Sequence, residues 1–273
     1  WKRKIPPKDV LLMLLLKKYG KNASTAVHPF QQSMYLRNIN YRKFGFSYLY
    51  TLDSKIPLKH TGCIDRSPYV SDSEAYQSIL DLLDRQQDSK SSQFLQLVTM
   101  QNHMPYGDYY DNNEFSDANI SEDLSDGERW NINTYTKGIN WTDQETADFL
   151  NQLDQIDKPI TVIFYGDHLP GIYDTADMDK NNKTVLHETD YFIWSNSDVN
   201  NRVVGIGVVT VPPLFVPPLL TPPSAGGCTV SLPPPPPQPA NVSAVARAES
   251  LKVFRKIVDS VIVNSLLTRF THL

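Results

Sequence analysis

The chain has 273 residues, 40% of them hydrophobic, with a formal net charge of -4. That is enough to build one large α/β domain or two small ones. The mild acidity, with no Lys/Arg block beyond Trp1-Lys2-Arg3-Lys4, excludes a nucleic-acid footprint and leaves no nucleic-acid partner expected. The longest early apolar run, Val10 to Leu16, is too short to span a bilayer. No signal peptide is visible, and a start on Trp1 suggests a piece of a longer protein.

Lys8 to Tyr19 reads as a helix with Val10, Leu11, Leu14 and Leu15 on one face, stopped by Gly20. Ala23 to Val27 reads as a short strand that ends at His28-Pro29, and Ser33 to Lys43 as a helix closed by Gly45. Cys63 and Cys228 fit no metal or redox spacing. They are read as two unrelated thiols, with pairing as the alternative.

Ser71 and Glu74 have the capping-box spacing. Tyr76, Ile79, Leu80 and Leu83 follow on one helical face. Gln93 to Met100 reads as a buried strand running into Gln101-Asn102-His103-Met104-Pro105-Tyr106. The Asp-, Asn-, Ser- and Tyr-rich residues 107–129 read as a long surface loop. Thr142 and Glu145 repeat the capping-box spacing, so a helix is expected to start there, with Phe149, Leu150, Leu153 and Ile156 facing inward.

Ile160 to Tyr165 is a β-branched strand followed at once by Gly166-Asp167-His168, and Tyr191 to Trp194 is another short strand. From Val203 the character changes: twelve of the 20 prolines lie between Pro212 and Pro239, which rules out regular packing there. Ser243 to Phe270 then reads as an amphipathic helix. The expected organisation is an α/β domain over residues 8–202, a proline-rich irregular segment over 203–242 and a C-terminal helix over 243–273. In the first of these, helices flank a central, mostly parallel sheet.

In such sheets ligands gather beyond the carboxyl ends of the strands. Asp167 and His168 stand at such an end, as a hard carboxylate beside an imidazole. They read either as half of a divalent-metal site or as a turn with a solvated Asp and a hydrogen-bonded His. His103 reads as a phosphate ligand or general acid, or as a surface His. His28 ends a third strand, and Arg37, in the helix behind it, has the planar fork suited to phosphate. Together these residues suit a metal-assisted site for an anionic substrate.

Four segments in order carry a resemblance to a known family. They are His28-Pro29-Phe30 with Met34-Tyr35-Leu36-Arg37, then Gln101 to Tyr106, then Phe164-Tyr165-Gly166-Asp167-His168-Leu169-Pro170-Gly171, then His187 to Asn196. Over residues 8 to about 200 the chain resembles the extracellular catalytic domain of lipoteichoic acid synthases and other phosphoglycerol transferases of the sulfatase and alkaline phosphatase superfamily. The resemblance implies a threonine that attacks the phosphorus of phosphatidylglycerol and passes glycerol phosphate to a polyglycerol phosphate or glycolipid acceptor. It implies one divalent ion, Mn2+ or Mg2+, with Asp167 and His168 among its ligands, and places His28, Tyr35, Arg37 and His103 on the substrate. It further implies a location on the outer face of a bacterial membrane, reached through upstream helices.

The family's nucleophilic threonine and a metal-ligand Glu stand upstream of the matching segment, and Thr25 does not occupy the nucleophile's position. The expectation is a chain that is inactive as a transferase by itself. The alternatives are a sulfatase or phosphodiesterase on the same fold, or a non-enzymatic domain that binds a wall polymer. Neither Cys63 nor Cys228 stands in the Cys/Ser-x-Pro-x-Arg context of sulfatases.

Overall fold

Three short apolar runs pair in parallel to make the first sheet. The structure, a computed structural model, describes residues 24–85, 93–116, 124–170, 172, 188–196 and 203–210. Strand β1 (Ser24–Val27) is buried along its whole length, so it lies in the middle, between β2 (Tyr48–Tyr50) and β3 (Phe94–Leu97). Val27 pairs with both Tyr50 and Leu97, so all three strands end level at one edge.

Met34–Leu36 is one 3-10 turn, followed by helix α1 (Arg37–Phe44). Gly45 closes α1 with φ 98°, a left-handed C-cap in which glycine carries no Cβ penalty. Helix α2 (Asp72–Asp84) starts as its sequence predicts, with the Ser71 hydroxyl accepting from the Glu74 N–H.

Helix α3 is longer than the expected one. It spans Asp126–Asp154 without a break, and Ser125 with Glu128 forms the real capping box. Thr142 is therefore not an N-cap. It lies inside α3, fully buried, and the residues expected as the end of a loop form the first turn of the helix.

The second sheet is antiparallel, in the order β4 (Thr161–Tyr165), β5 (Glu188–Ser195), β6 (Val203–Thr210). Strand β6 pairs with β5 from Thr210 back to Val203, so regular pairing continues eight residues into the stretch expected to be irregular. The proline-rich residues beyond 210, the 8–19 helix, the C-terminal helix, Cys228 and His187 lie outside the described residues. Cys63 is disulfide-bonded, which corrects the expectation of two unrelated thiols.

One core joins both sheets. Val27, Leu95 and Leu97 of the parallel sheet, Ile79 and Leu83 of α2, Phe149 and Leu153 of α3, and Val162, Phe164, Phe192 and Trp194 of the antiparallel sheet form a single buried cluster. Stacked rings contribute within it, Tyr76 on Phe149 at 4.5 Å and Phe164 on Phe192 at 4.9 Å. The architecture is α/β, a parallel sheet flanked by helices, with an antiparallel sheet added through the same core. It fixes where β1, β3 and β4 end, and those ends carry the side chains described next.

Candidate active site

His28 is the first residue after β1. Its backbone N–H donates to the Tyr50 carbonyl at 2.9 Å and its Nδ1 lies 3.2 Å from the Val98 carbonyl. A carbonyl only accepts, so Nδ1 carries the proton and Nε2 carries a lone pair. Burial, with the Arg37 cation nearby, holds the imidazole's pKa well below the ordinary histidine value, so it is neutral at pH 7. Nε2 is buried and has no hydrogen-bond partner.

Arg37 approaches from the start of α1. Its guanidinium lies against the Tyr35 ring at 5.5 Å and the Tyr41 ring at 5.8 Å, and Nη1 donates to the Tyr41 hydroxyl at 3.0 Å. These contacts fix the fork, yet its Nε is buried without a partner. No carboxylate forms an ion pair with Arg37 among the described residues. Tyr35 and Leu36 hold φ of 52° and 54°, two consecutive left-handed residues without glycine, a strained arrangement that aims Tyr35 at the site. Asn40 supports the turn by donating to the Tyr35 carbonyl at 3.0 Å.

His103 completes the group from the loop after β3. Its Nδ1–H donates to the Met104 carbonyl, which also accepts from the Tyr69 hydroxyl at 2.6 Å. Burial lowers its pKa, with His168 acting in the same direction, so this imidazole too is neutral with Nε2 as acceptor. The Tyr35 hydroxyl stands 3.5 Å from that Nε2.

Asp167 and His168 follow β4 through Gly166. Both polar groups of the Gly166 backbone are tied to β5: its N–H donates to the Asp190 carbonyl at 3.2 Å and its carbonyl accepts from Thr189 Oγ1 at 2.7 Å. A Cβ there would stand 3.1 Å from Thr189 Cβ, so glycine serves close approach. His168 Nδ1–H donates to the Leu169 carbonyl at 2.8 Å, which leaves Nε2 as a lone-pair donor 3.8 Å from the Asp167 carboxylate. This is the tautomer a metal-ligating imidazole needs, set by a backbone acceptor on the other nitrogen. The donor set therefore fits a divalent ion, but it supplies two ligands. Among the described residues no group of three or more His, Cys, Asp or Glu side chains is gathered around a metal position.

The three strand ends act on one another electrostatically. After burial, Asp167 is the next cause raising the Tyr35 pKa; it acts on His103 as well, and Arg37 acts on His28, Tyr35 and His103. All six side chains singled out in the sequence, His28, Tyr35, Arg37, His103, Asp167 and His168, thus belong to one neighbourhood. Sequence reasoning missed the residues that hold them. Tyr41 and Tyr69 carry no spacing signal, because their roles depend on where α1 and the 51–70 loop pack.

The network beneath His103 was also missed. Thr142 Oγ1 donates to the fully buried Asp72 carboxylate at 2.7 Å and accepts from Gln101 Nε2 at 3.0 Å and Asn102 Nδ2 at 2.8 Å. Gln101 also accepts from the Asp72 N–H at 2.8 Å and donates to the Gly138 carbonyl at 3.1 Å. The two residues preceding His103 are thereby bolted to α2 and α3.

The fold is that of a sulfatase-family domain. The sulfatase family model matches residues 3–204, and the chain belongs to that family. It is 33% identical to the phosphoglycerol transferase GacH of Streptococcus pyogenes, a structure solved with sn-glycerol-1-phosphate, over 66% of this chain and 45% of that one, with a TM-score of 0.54. The lipoteichoic acid synthase LtaP of Listeria monocytogenes is 23% identical over 63% of this chain and 39% of that one, with a TM-score of 0.45. A protein of Rhizobium meliloti (strain 1021) named for cyclic beta-1,2-glucan modification is 26% identical over 70% of this chain and 30% of that protein. The chain spans less than half the length of each of these relatives.

Proposed function

We propose that this chain forms the glycerol-phosphate-binding part of a phosphoglycerol transferase. The observation that carries the reading is a pair of orphaned buried polar atoms, His28 Nε2 and Arg37 Nε, the latter in a guanidinium that has no carboxylate partner among the described residues. Buried polar groups are ordinarily satisfied, so an orphan on each of two residues that act on one another electrostatically supports a place where a ligand supplies the partners. The similarity to GacH, solved with sn-glycerol-1-phosphate, supports glycerol phosphate as the class of ligand.

The residues divide the ligand between them. Arg37 faces the phosphate with charge and a fixed fork. Neutral His28 and His103 each present an acceptor nitrogen, which suits hydroxyl groups of the glycerol rather than phosphate oxygens. Tyr35 covers the unit and orients His103. Asp167 and His168 would hold Mn2+ or Mg2+, whose positive charge offsets charge on the phosphoryl group when bound. The proposed donor is phosphatidylglycerol and the acceptor a polyglycerol phosphate or glycolipid, at the outer face of a bacterial membrane.

Titration calorimetry with sn-glycerol-1-phosphate tests the site. Arg37→Ala is expected to weaken binding by on the order of 100-fold, since a charge-assisted bidentate contact is lost. Equal affinity in the variant sinks the reading. In parallel, Mn2+ relaxation measurements on the chain should show binding that Asp167→Ala and His168→Ala each reduce about tenfold or more.

A further inference from the structure

Helix α1 has a second face, turned away from the site. Ile39, Arg42 and Lys43 fall at i, i+3 and i+4 on the side of the helix opposite Arg37, and Leu36 stands in the turn just before it. Leu36 is 58% exposed and Ile39 44%, and Arg42 and Lys43 are exposed beside them. Six large apolar side chains are exposed among the described residues, and two of them, Leu36 and Ile39, fall in these four positions. Residues 31–44 contain Arg37, Arg42 and Lys43 and no Asp or Glu, although the whole chain has a net charge of -4.

Leu36 reaches solvent through a left-handed backbone conformation that disfavours it, so the exposure is held against a cost. Exposed apolar groups interleaved with cations and free of acids are what an anionic lipid interface takes up: side chains enter the headgroup boundary while Lys and Arg meet lipid phosphates. A soluble polyanion would use the cations and leave Leu36 and Ile39 without a role.

We propose that the Leu36–Ile39–Arg42–Lys43 face docks the domain on an anionic lipid surface. Tyr35 stands at the border, its hydroxyl toward His103 and its neighbour Leu36 outward, so docking would bring the pocket to the headgroup layer. That consequence rests on the glycerol-phosphate reading; the docking itself does not.

The test is co-sedimentation of the full chain with vesicles of phosphatidylcholine alone, or mixed with phosphatidylglycerol or with phosphatidylserine. Binding is expected to both anionic mixtures, to weaken with salt and to be absent on phosphatidylcholine. Arg42→Glu/Lys43→Glu and Ile39→Ser should each lower it several-fold, on the order of tenfold for the charge reversal, with sn-glycerol-1-phosphate affinity unchanged. The proposal is overturned if the chain ignores anionic vesicles, if both variants sediment like the wild type, or if binding is confined to phosphatidylglycerol, which would assign it to the pocket. Vesicle binding without any affinity for sn-glycerol-1-phosphate would support the docking face and remove the pocket reading alone.

Discussion

Thr142 shows how a single side chain can be misread and still matter. Thr142 and Glu145 have the same spacing as Ser125 and Glu128, but only the second pair caps a helix. Burial decides between them: the Thr142 hydroxyl is consumed by Asp72, Gln101 and Asn102, partners far away in sequence. Thr142→Val should destabilise the chain by roughly 3 kcal/mol in urea denaturation, because it strands three buried polar groups at once. Thr142→Ser should cost far less. Gly138 belongs to the same story, since a Cβ there would stand 2.2 Å from Asn102 Oδ1. By contrast, His28, Asp167 and His168 follow strands and Arg37 starts a helix, places the sequence marks by an abrupt change from apolar to polar residues, whereas Tyr35 is singled out only through the family resemblance and His103 lies in the loop six residues beyond β3.

At the scale of elements, the turn into α1 is the strained piece. Sequence reading places a helix over 33–43, and the helix is there from Arg37, but nothing in Met34-Tyr35-Leu36 announces two left-handed residues. That conformation is imposed by the packing of Arg37 between two tyrosines. Leu36→Gly should raise stability by a few tenths to about 1 kcal/mol, the relief of left-handed strain less the added freedom of the unfolded chain. Leu36→Val should lower it. Helix α3 was half legible: its apolar second half shows the 3.6 period, whereas its first half is rich in Asn and Thr and is held by Tyr135 and Ile139 in a second cluster.

For the whole molecule, the parallel sheet and its helices follow from short apolar runs alternating with amphipathic ones. The antiparallel partners of β4 were less visible, because β6 has two glycines and ends just short of the prolines. Global stability should carry a pH signature from the network that joins α2 to α3. Burial raises the Asp72 pKa to about 6 and the Glu145 pKa to about 8. A raised carboxyl binds its proton more tightly in the folded state, so the folded chain loses stability as pH climbs from about 4 through these values. Relative to Asp72→Asn, the wild type should therefore be more stable at pH 4 than at pH 7, by up to about 3 kcal/mol. Paired thermal melts across that range check both sign and size. His28 and His103 act in the opposite direction below about pH 6.5, and they cancel in this comparison because both proteins carry them.

The most direct test of the central claim is the 15N spectrum of the histidine rings as sn-glycerol-1-phosphate is added. The account predicts that His28 starts neutral with its proton on Nδ1, and that ligand shifts the Nε2 resonances of His28 and His103 as they gain hydrogen-bond donors, with the response lost in Arg37→Ala. Ring signals that stay fixed at saturating ligand, or a His28 already protonated at pH 7, would contradict it.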